Sequence, residues 1–329
     1  MRITQSTVVQ QFIYNLQQNQ QSILTTEQQL SSGKRLLLPQ DNPGGAAIAM
    51  QEQAQIDGST QNLSNDQSAQ SWISASGTAL QNAGTVLQQA QSLGLQVNSP
   101  ATSIPAITQT MGGLQSQLFT IANSQFNGEY LFAGTDVTGA TTVIGGVTTS
   151  TPYTQTAATT NVLVSTVVGG VTATVTYSVG FTSFAYAGTT NTLTREIAPS
   201  THMQVGVQGD VFVQAMNDFS VMVGALQAGA STPAMTAVAT ATFLPQLQSD
   251  LTSIETAQAV TGSWQQRLTQ TTSTLQTLQT STKNELSNTQ DVDVASAIVN
   301  LQQEQLAYQT ALGVGAQLQQ TTLLNYLKP

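Results

Sequence analysis

His202 is the only histidine of the chain and there is no cysteine, so the side chains that most often serve as general base or thiolate nucleophile are almost absent. No second imidazole or thiolate exists to share a metal ion with His202. The sequence contains no His-Glu-x-x-His helix, no Gly-x-x-x-x-Gly-Lys-Ser/Thr phosphate loop and no Gly-x-Ser-x-Gly elbow. We therefore expect no catalytic residue, no cofactor and no metal site. Asp291 and Asp293 resemble the start of a calcium loop, but the central Gly and terminal Glu of that loop are missing, and both acids suit the positive end of a helix that follows them. Lys34-Arg35 is the one adjacent basic pair, readable as a solvated turn or as a contact with an acidic neighbouring subunit. Asn62-Leu63-Ser64 has the form of a glycosylation sequon but falls in an expected helix.

The elements around these residues are more informative. Both ends of the chain carry a helix-period apolar stripe and the middle does not. Val9, Leu16, Ile23, Leu30 and Leu37 recur every seven residues, while Val294, Ile298, Leu301, Tyr308 and Leu312 follow alternating four- and three-residue steps with Gln305 as a polar member. Each end reads as half of a coiled coil. A stripe this narrow, flanked by Gln17 to Gln21, cannot bury itself, so these residues are expected to form an assembly interface with the other end and then with other subunits.

Composition narrows the partners. Only 7% of the 329 residues are charged, against roughly 25% in ordinary soluble proteins, and Gln, Ser and Thr supply the polar surface instead. The net charge is −9, and no Lys or Arg lies between Leu36 and Thr194. Nucleic acid is excluded as a partner because phosphate neutralisation needs clustered cations. No apolar run approaches the roughly 20 residues that span a bilayer, so no membrane insertion is expected. Arg2 is followed by polar residues and not by an apolar core, which predicts that no signal peptide is cleaved.

Along the chain, 7–30 reads as one helix, Ser31-Ser32-Gly33 as its end, and Pro39 to Gly45 as a turn. Helical periodicity runs from Ala46 to Leu95, breaks near Asn98 to Pro105 and returns over 106–126. From Tyr130 to Pro199 Thr, Val, Gly and Ala dominate. Ile144-Gly-Gly-Val147 and Val168-Gly-Gly-Val171 each predict a hairpin, and apolar residues alternate with hydroxyls from Val171 to Val179 as in a half-buried strand. Helices resume over 211–226 and 245–289, the latter with Leu247, Leu251, Ile254, Leu268, Leu275 and Leu286 in one heptad frame. The expected fold is α+β: a long helical coiled-coil bundle formed by both chain ends, with an inserted small antiparallel β domain. Expected domains are 1–35 with 291–329 as a terminal coiled-coil segment, 36–135 with 205–290 as a helical rod, and 136–204 as the β insertion.

Residues 31–50, SSGKRLLLPQDNPGGAAIAM, resemble the N-terminal signature of the bacterial flagellin superfamily. Residues 123–135, NSQFNGEYLFAGT, and 311–327, ALGVGAQLQQTTLLNYL, are similar to segments of its hook-filament junction family, also called hook-associated protein type three. Filament flagellins more often show a Gly-Leu-Arg-Ile-Asn variant of the first motif, so Lys34, Pro39 and Pro43 favour the junction family. The chain departs from the family in being poorer in charge. The resemblance implies a structural, non-enzymatic protein of the extracellular flagellum, exported through the flagellar type III apparatus and adapting hook to filament. Its partners would be other flagellar axial proteins (the hook-side junction protein and flagellin), its own copies in a ring, and a cytoplasmic export chaperone. The terminal segments would be disordered in the monomer and order on assembly. The alternatives are a filament flagellin subunit and a secreted adhesin using the Thr-rich insertion.

Overall fold

The structure, a computed structural model, describes residues 5–40, 42–97, 99, 103–138, 142–144, 147–149, 151–168, 171–229 and 233–326. Among the described residues six helices and eight strands follow in order: α1 (Gln5–Ser32), α2 (Pro43–Gln96), α3 (Ile104–Ala122), β1 (Gln125–Phe126), β2 (Glu129–Tyr130), β3 (Thr142–Ile144), β4 (Val147–Thr149), β5 (Tyr153–Val168), β6 (Val171–Tyr186), β7 (Thr194–Ala198), β8 (Thr201–Gln204), α4 (Asp210–Gly229), α5 (Pro233–Gln290) and α6 (Val294–Tyr326). The fold is α+β, as the residue pattern implies. Two compact units divide it, one of residues 1–60 and 276–329, the other of 61–275.

Local sequence explains where the helices start and stop. α1 has no Gly or Pro and ends at Gly33, whose φ of 70° is the left-handed conformation that closes a helix. Asn42 caps α2: its side-chain oxygen accepts the Gly45 amide at 3.0 Å, its carbonyl accepts the Ala46 amide at 2.9 Å, and Pro43 occupies the first helical turn where its missing N–H costs nothing. Asn127 and Gly128, both at positive φ, make the two-residue turn of the β1–β2 hairpin.

In the unit of residues 61–275, α2 buries two seven-residue rows. One holds Asp66, Ile73, Leu80, Leu87 and Gly94; the other holds Ala69, Ser76, Ala83 and Ala90, and buried Val97 follows just past the helix end. α5 answers with Leu247, Ile254, Thr261, Leu268 and Leu275, all buried. Small residues let the helices close, with a Cβ at Gly84 falling 3.9 Å from both Leu251 and Ile254. An aromatic group of Phe132, Tyr153 and Phe212 fills the space between α4 and the strands, with ring centroids at 4.7 and 6.1 Å.

Each sheet has two antiparallel strands. β3–β4 and β5–β6 pair Ile144 with Val147 and Val168 with Val171, as the Gly-Gly signals predict; the glycine pairs themselves lie outside the described residues. So does most of the expected link at 229–233. The expected half-burial of Val171 to Tyr177 also falls on side chains outside the description, but Thr176 and Ser178 are exposed and Val179 is buried. β5 and β6 are each 16 residues long. α4 covers the base of β6 closely: a Cβ at Gly224 would stand 2.4 Å from the Gly180 carbonyl oxygen.

Candidate assembly surface

In the unit of residues 1–60 and 276–329, α1 and α6 pack antiparallel. Thr26 Oγ1 donates to Glu304 Oε2 at 3.0 Å, and a Cβ at Gly315 would meet the Phe12 ring. The inner rows follow four- and three-residue steps, Phe12, Leu16, Asn19, Ile23, Thr26 and Leu30 on α1 against Ala297, Leu301, Glu304, Tyr308, Ala311 and Gly315 on α6. Most are only half-buried. Half of these seam positions are polar or small, which limits what the pair gains from burial.

Of the residues expected at the interface, Leu16, Ile23, Leu30, Leu301 and Tyr308 lie on these inner rows. Val9, Val294, Ile298 and Leu312 do not; they are 40%, 51%, 44% and 47% exposed. The α6 seam thus differs from the frame drawn through Val294, Ile298, Gln305 and Leu312. Ala297, Ala311 and Gly315 carry little hydrophobic signal and Glu304 carries none, so a pattern drawn through large apolar residues follows the neighbouring stripe. That stripe points outward; Ile13, Tyr14 and Leu24 on α1 and Val299, Leu306 and Val314 on α6 are exposed as well, several of them on other faces of the two helices.

Where the chain ends meet, a loop staple fixes them. The Arg35 amide donates to the Gln290 carbonyl at 2.7 Å, and the Val292 amide donates to the Gly33 carbonyl at 3.0 Å. Lys34 and Asp291 form an antiparallel bridge through their backbones. The Arg35 guanidinium donates to the Thr289 carbonyl at 2.9 Å, placing a cation on the negative end of α5. Its contact is therefore with carbonyls of its own chain, and the Lys34 side chain stays on the surface. Asp293 caps α6: Oδ1 accepts the Ala295 and Ser296 amides at 3.1 and 3.3 Å, and Oδ2 accepts the Ser296 hydroxyl at 2.8 Å. These bonds, the Ser296 hydroxyl first, hold its carboxyl below the usual range.

The remaining polar candidates do not gather into a site. His202 is exposed on β8 opposite Glu196. Asn62 is buried on α2, where no glycosyl group fits. Among the described residues no three His, Cys, Asp or Glu side chains come together as for a metal, and no helix is long and apolar enough to cross a membrane. Composition gave no hint of Asp250, 4% exposed on α5. Burial, and secondarily the charge of Asp218, push its carboxyl up to about 7.

The fold is thus that of a chain whose first and last helices pair and whose middle carries small antiparallel sheets. Two sequence families match it, the bacterial flagellin N-terminal helical region over residues 3–137 and the bacterial flagellin C-terminal helical region over 244–327. The chain belongs to the bacterial flagellin family and is a structural component of the flagellar axis. No curated protein matches it in sequence. Its fold is similar to that of a Vibrio parahaemolyticus protein described as a flagellar hook-associated protein, at 12% identity over 76% of this chain and 100% of that one, with a TM-score of 0.54. It is similar also to FlgL of Xanthomonas campestris, at 15% identity over 71% of this chain and 98% of that one, with a TM-score of 0.51.

Proposed function

We propose that the chain is the adapter between hook and filament, a ring subunit of the extracellular flagellum with no catalytic activity. The observation that carries this reading is the outward apolar stripe on the α1–α6 pair. Val9, Val294, Ile298 and Leu312, with Leu16, Ile23, Leu30, Leu301 and Tyr308 behind them, form a seam that one helix pair leaves half-filled. Neighbouring copies, hook-side junction subunits and flagellin complete it. Residues 1–35 and 291–329 order as they assemble, 36–135 and 205–290 form the rod, and 136–204 form the inserted β domain. Ordering entropy is then offset at the moment of assembly, which suits export through the flagellar type III channel without a cleaved signal. A cytoplasmic chaperone covers the α6 stripe beforehand. Lys34 remains free to meet an acidic group of a neighbour. Lys34, Pro39 and Pro43 favour the junction over the filament.

Leu301→Asp tests the seam in cells lacking the natural chain. The variant is expected to be exported and to melt as the parent does, yet to be missing from isolated flagella. Normal incorporation of Leu301→Asp would sink the paired-termini mechanism. Purified parent protein that grows long filaments alone would make it a filament subunit instead.

A further inference from the structure

The long β5–β6 ribbon is guarded on one side only at its base. The Ser220 hydroxyl accepts the Thr182 amide at 2.9 Å. Asn217 accepts the Phe184 amide at 2.8 Å and donates to the Phe184 carbonyl at 2.9 Å. One face of α4, residues 217, 220 and 224, thereby occupies the place of a third strand as far as Gly180. Because successive amides of a strand alternate in direction, those of Ser178, Thr176, Thr174 and Thr172 point to the same edge as those of Thr182 and Phe184. Among the described residues no strand pairs with them. The opposite edge, at Asn161, Leu163, Ser165 and Val167 of β5, is open in the same way.

Exposed edges are ordinarily protected by charge, proline or a bulge. None is present here: no charged residue lies between Asp136 and Arg195, the ladder from Tyr153 to Tyr186 is unbroken, and neither strand contains Pro. A two-stranded ribbon is also marginal in water, and three or more strands make it stable. We propose that the β6 edge over 172–178 pairs with the β5 edge over 161–167 of a second copy of this chain. The two edges are complementary without a register shift. Ser178, Thr176, Thr174 and Thr172 face Asn161, Leu163, Ser165 and Val167 inside the ribbon, and a copy displaced sideways presents the same residues in the same order. Strand directions alternate across such a contact, so it is antiparallel and repeats from copy to copy, the head-to-tail geometry that a ring requires. A neutral edge suits a neutral edge; a charged partner strand would strand its charges against it. The contact spans about 23 Å at about 3.3 Å per residue, too little for a stable dimer of free chains. It forms where copies are held side by side, and in this respect rests on the ring reading above.

The absence of natural cysteine gives a clean test. Full-length Thr174→Cys and Ser165→Cys chains, each with a single thiol, are mixed at millimolar concentration and oxidised. The expected product is a disulfide dimer containing one of each, several-fold above either like-with-like dimer, since facing strand residues lie within disulfide reach. Adding Thr176→Pro to the Thr174→Cys chain removes an outward amide while sparing the β5–β6 ladder, and should reduce the yield several-fold. A statistical mixture of dimers, a like-with-like excess, or no dimer would each overturn the edge pairing. Chains found at the hook-filament junction without the mixed cross-link overturn this inference alone, whereas failure of the parent chain to enter flagella overturns the ring reading and leaves the cross-link in solution to be judged by itself.

Discussion

The α1–α6 pair and the α2–α5 pair of residues 61–275 share one design and differ in how its positions are filled. Both run on seven-residue rows. In the second, Ile73, Leu80, Leu87, Ile254 and Leu268 are buried, and Asp66, Ser76 and Thr261, buried as well, are the polar exceptions to an apolar filling. In the first, Asn19, Thr26, Ala297, Glu304, Ala311 and Gly315 take half the seam, while Ile13, Leu24, Val299 and Leu306 face outward. The period of a stripe specifies that a helix will pair; the filling of the stripe decides whether one partner suffices.

The sharpest way to break this comparison is a matched pair of truncations. Leu80→Ala should cost about 2 to 5 kcal/mol of unfolding free energy, because a fully buried leucine leaves a cavity. Leu301→Ala, at a half-buried position, should cost at most about 1 kcal/mol. Denaturant titration of the monomer measures both, and equal losses would mean that the terminal pair is as self-sufficient as the bundle. Next is Gly224→Ala, whose methyl group would lie 2.4 Å from a backbone oxygen of β6 that has no freedom to swing away. A loss of about 1 to 3 kcal/mol is expected, with faster hydrogen exchange at Thr182 and Phe184.

The smallest effect concerns pH and also separates the two regions. Asp250 ionises near 7 when folded and near 4 when unfolded, so between these values the folded chain holds a proton that the unfolded chain has lost. Its contribution to stability is therefore greatest in acid and is lost as pH rises through 7. Asp66 and Asp218 shift the same way, also through burial first. The Asp293 cap has the opposite sign, fully present above about 4 and lost in acid. Melting temperature should rise modestly from pH 8 to pH 5, and Asp250→Asn should flatten that rise. An unchanged slope in the variant would remove Asp250 from this account.

Much of the architecture was legible in the residues. Gly33 and Asn42-Pro43 act locally, through a left-handed φ, a side-chain cap and a fixed proline ring, and the strands flanking the Gly-Gly pairs lie close to where the sequence places them. α2 proved to be one helix to Gln96, with its break falling before α3 as expected. The inner row of α6 was not legible, because Ala297, Ala311 and Gly315 are chosen for the space that they leave. Arg35 gave only its charge; that it closes α5 depends on a carbonyl some 254 positions later in the chain. Asn217 and Ser220 read as ordinary helix surface until β6 is laid beside them.

That last dependence on distance has a kinetic side. Thr26 meets Glu304 across 278 positions, and Asp66 meets Thr272 across 206. Contacts so remote in sequence close the longest loops that this chain can make, and proteins dominated by them fold slowly. The helix that α1 packs against, α6, is made long after α1 itself. The seam of α1 therefore waits for its partner helix through most of synthesis.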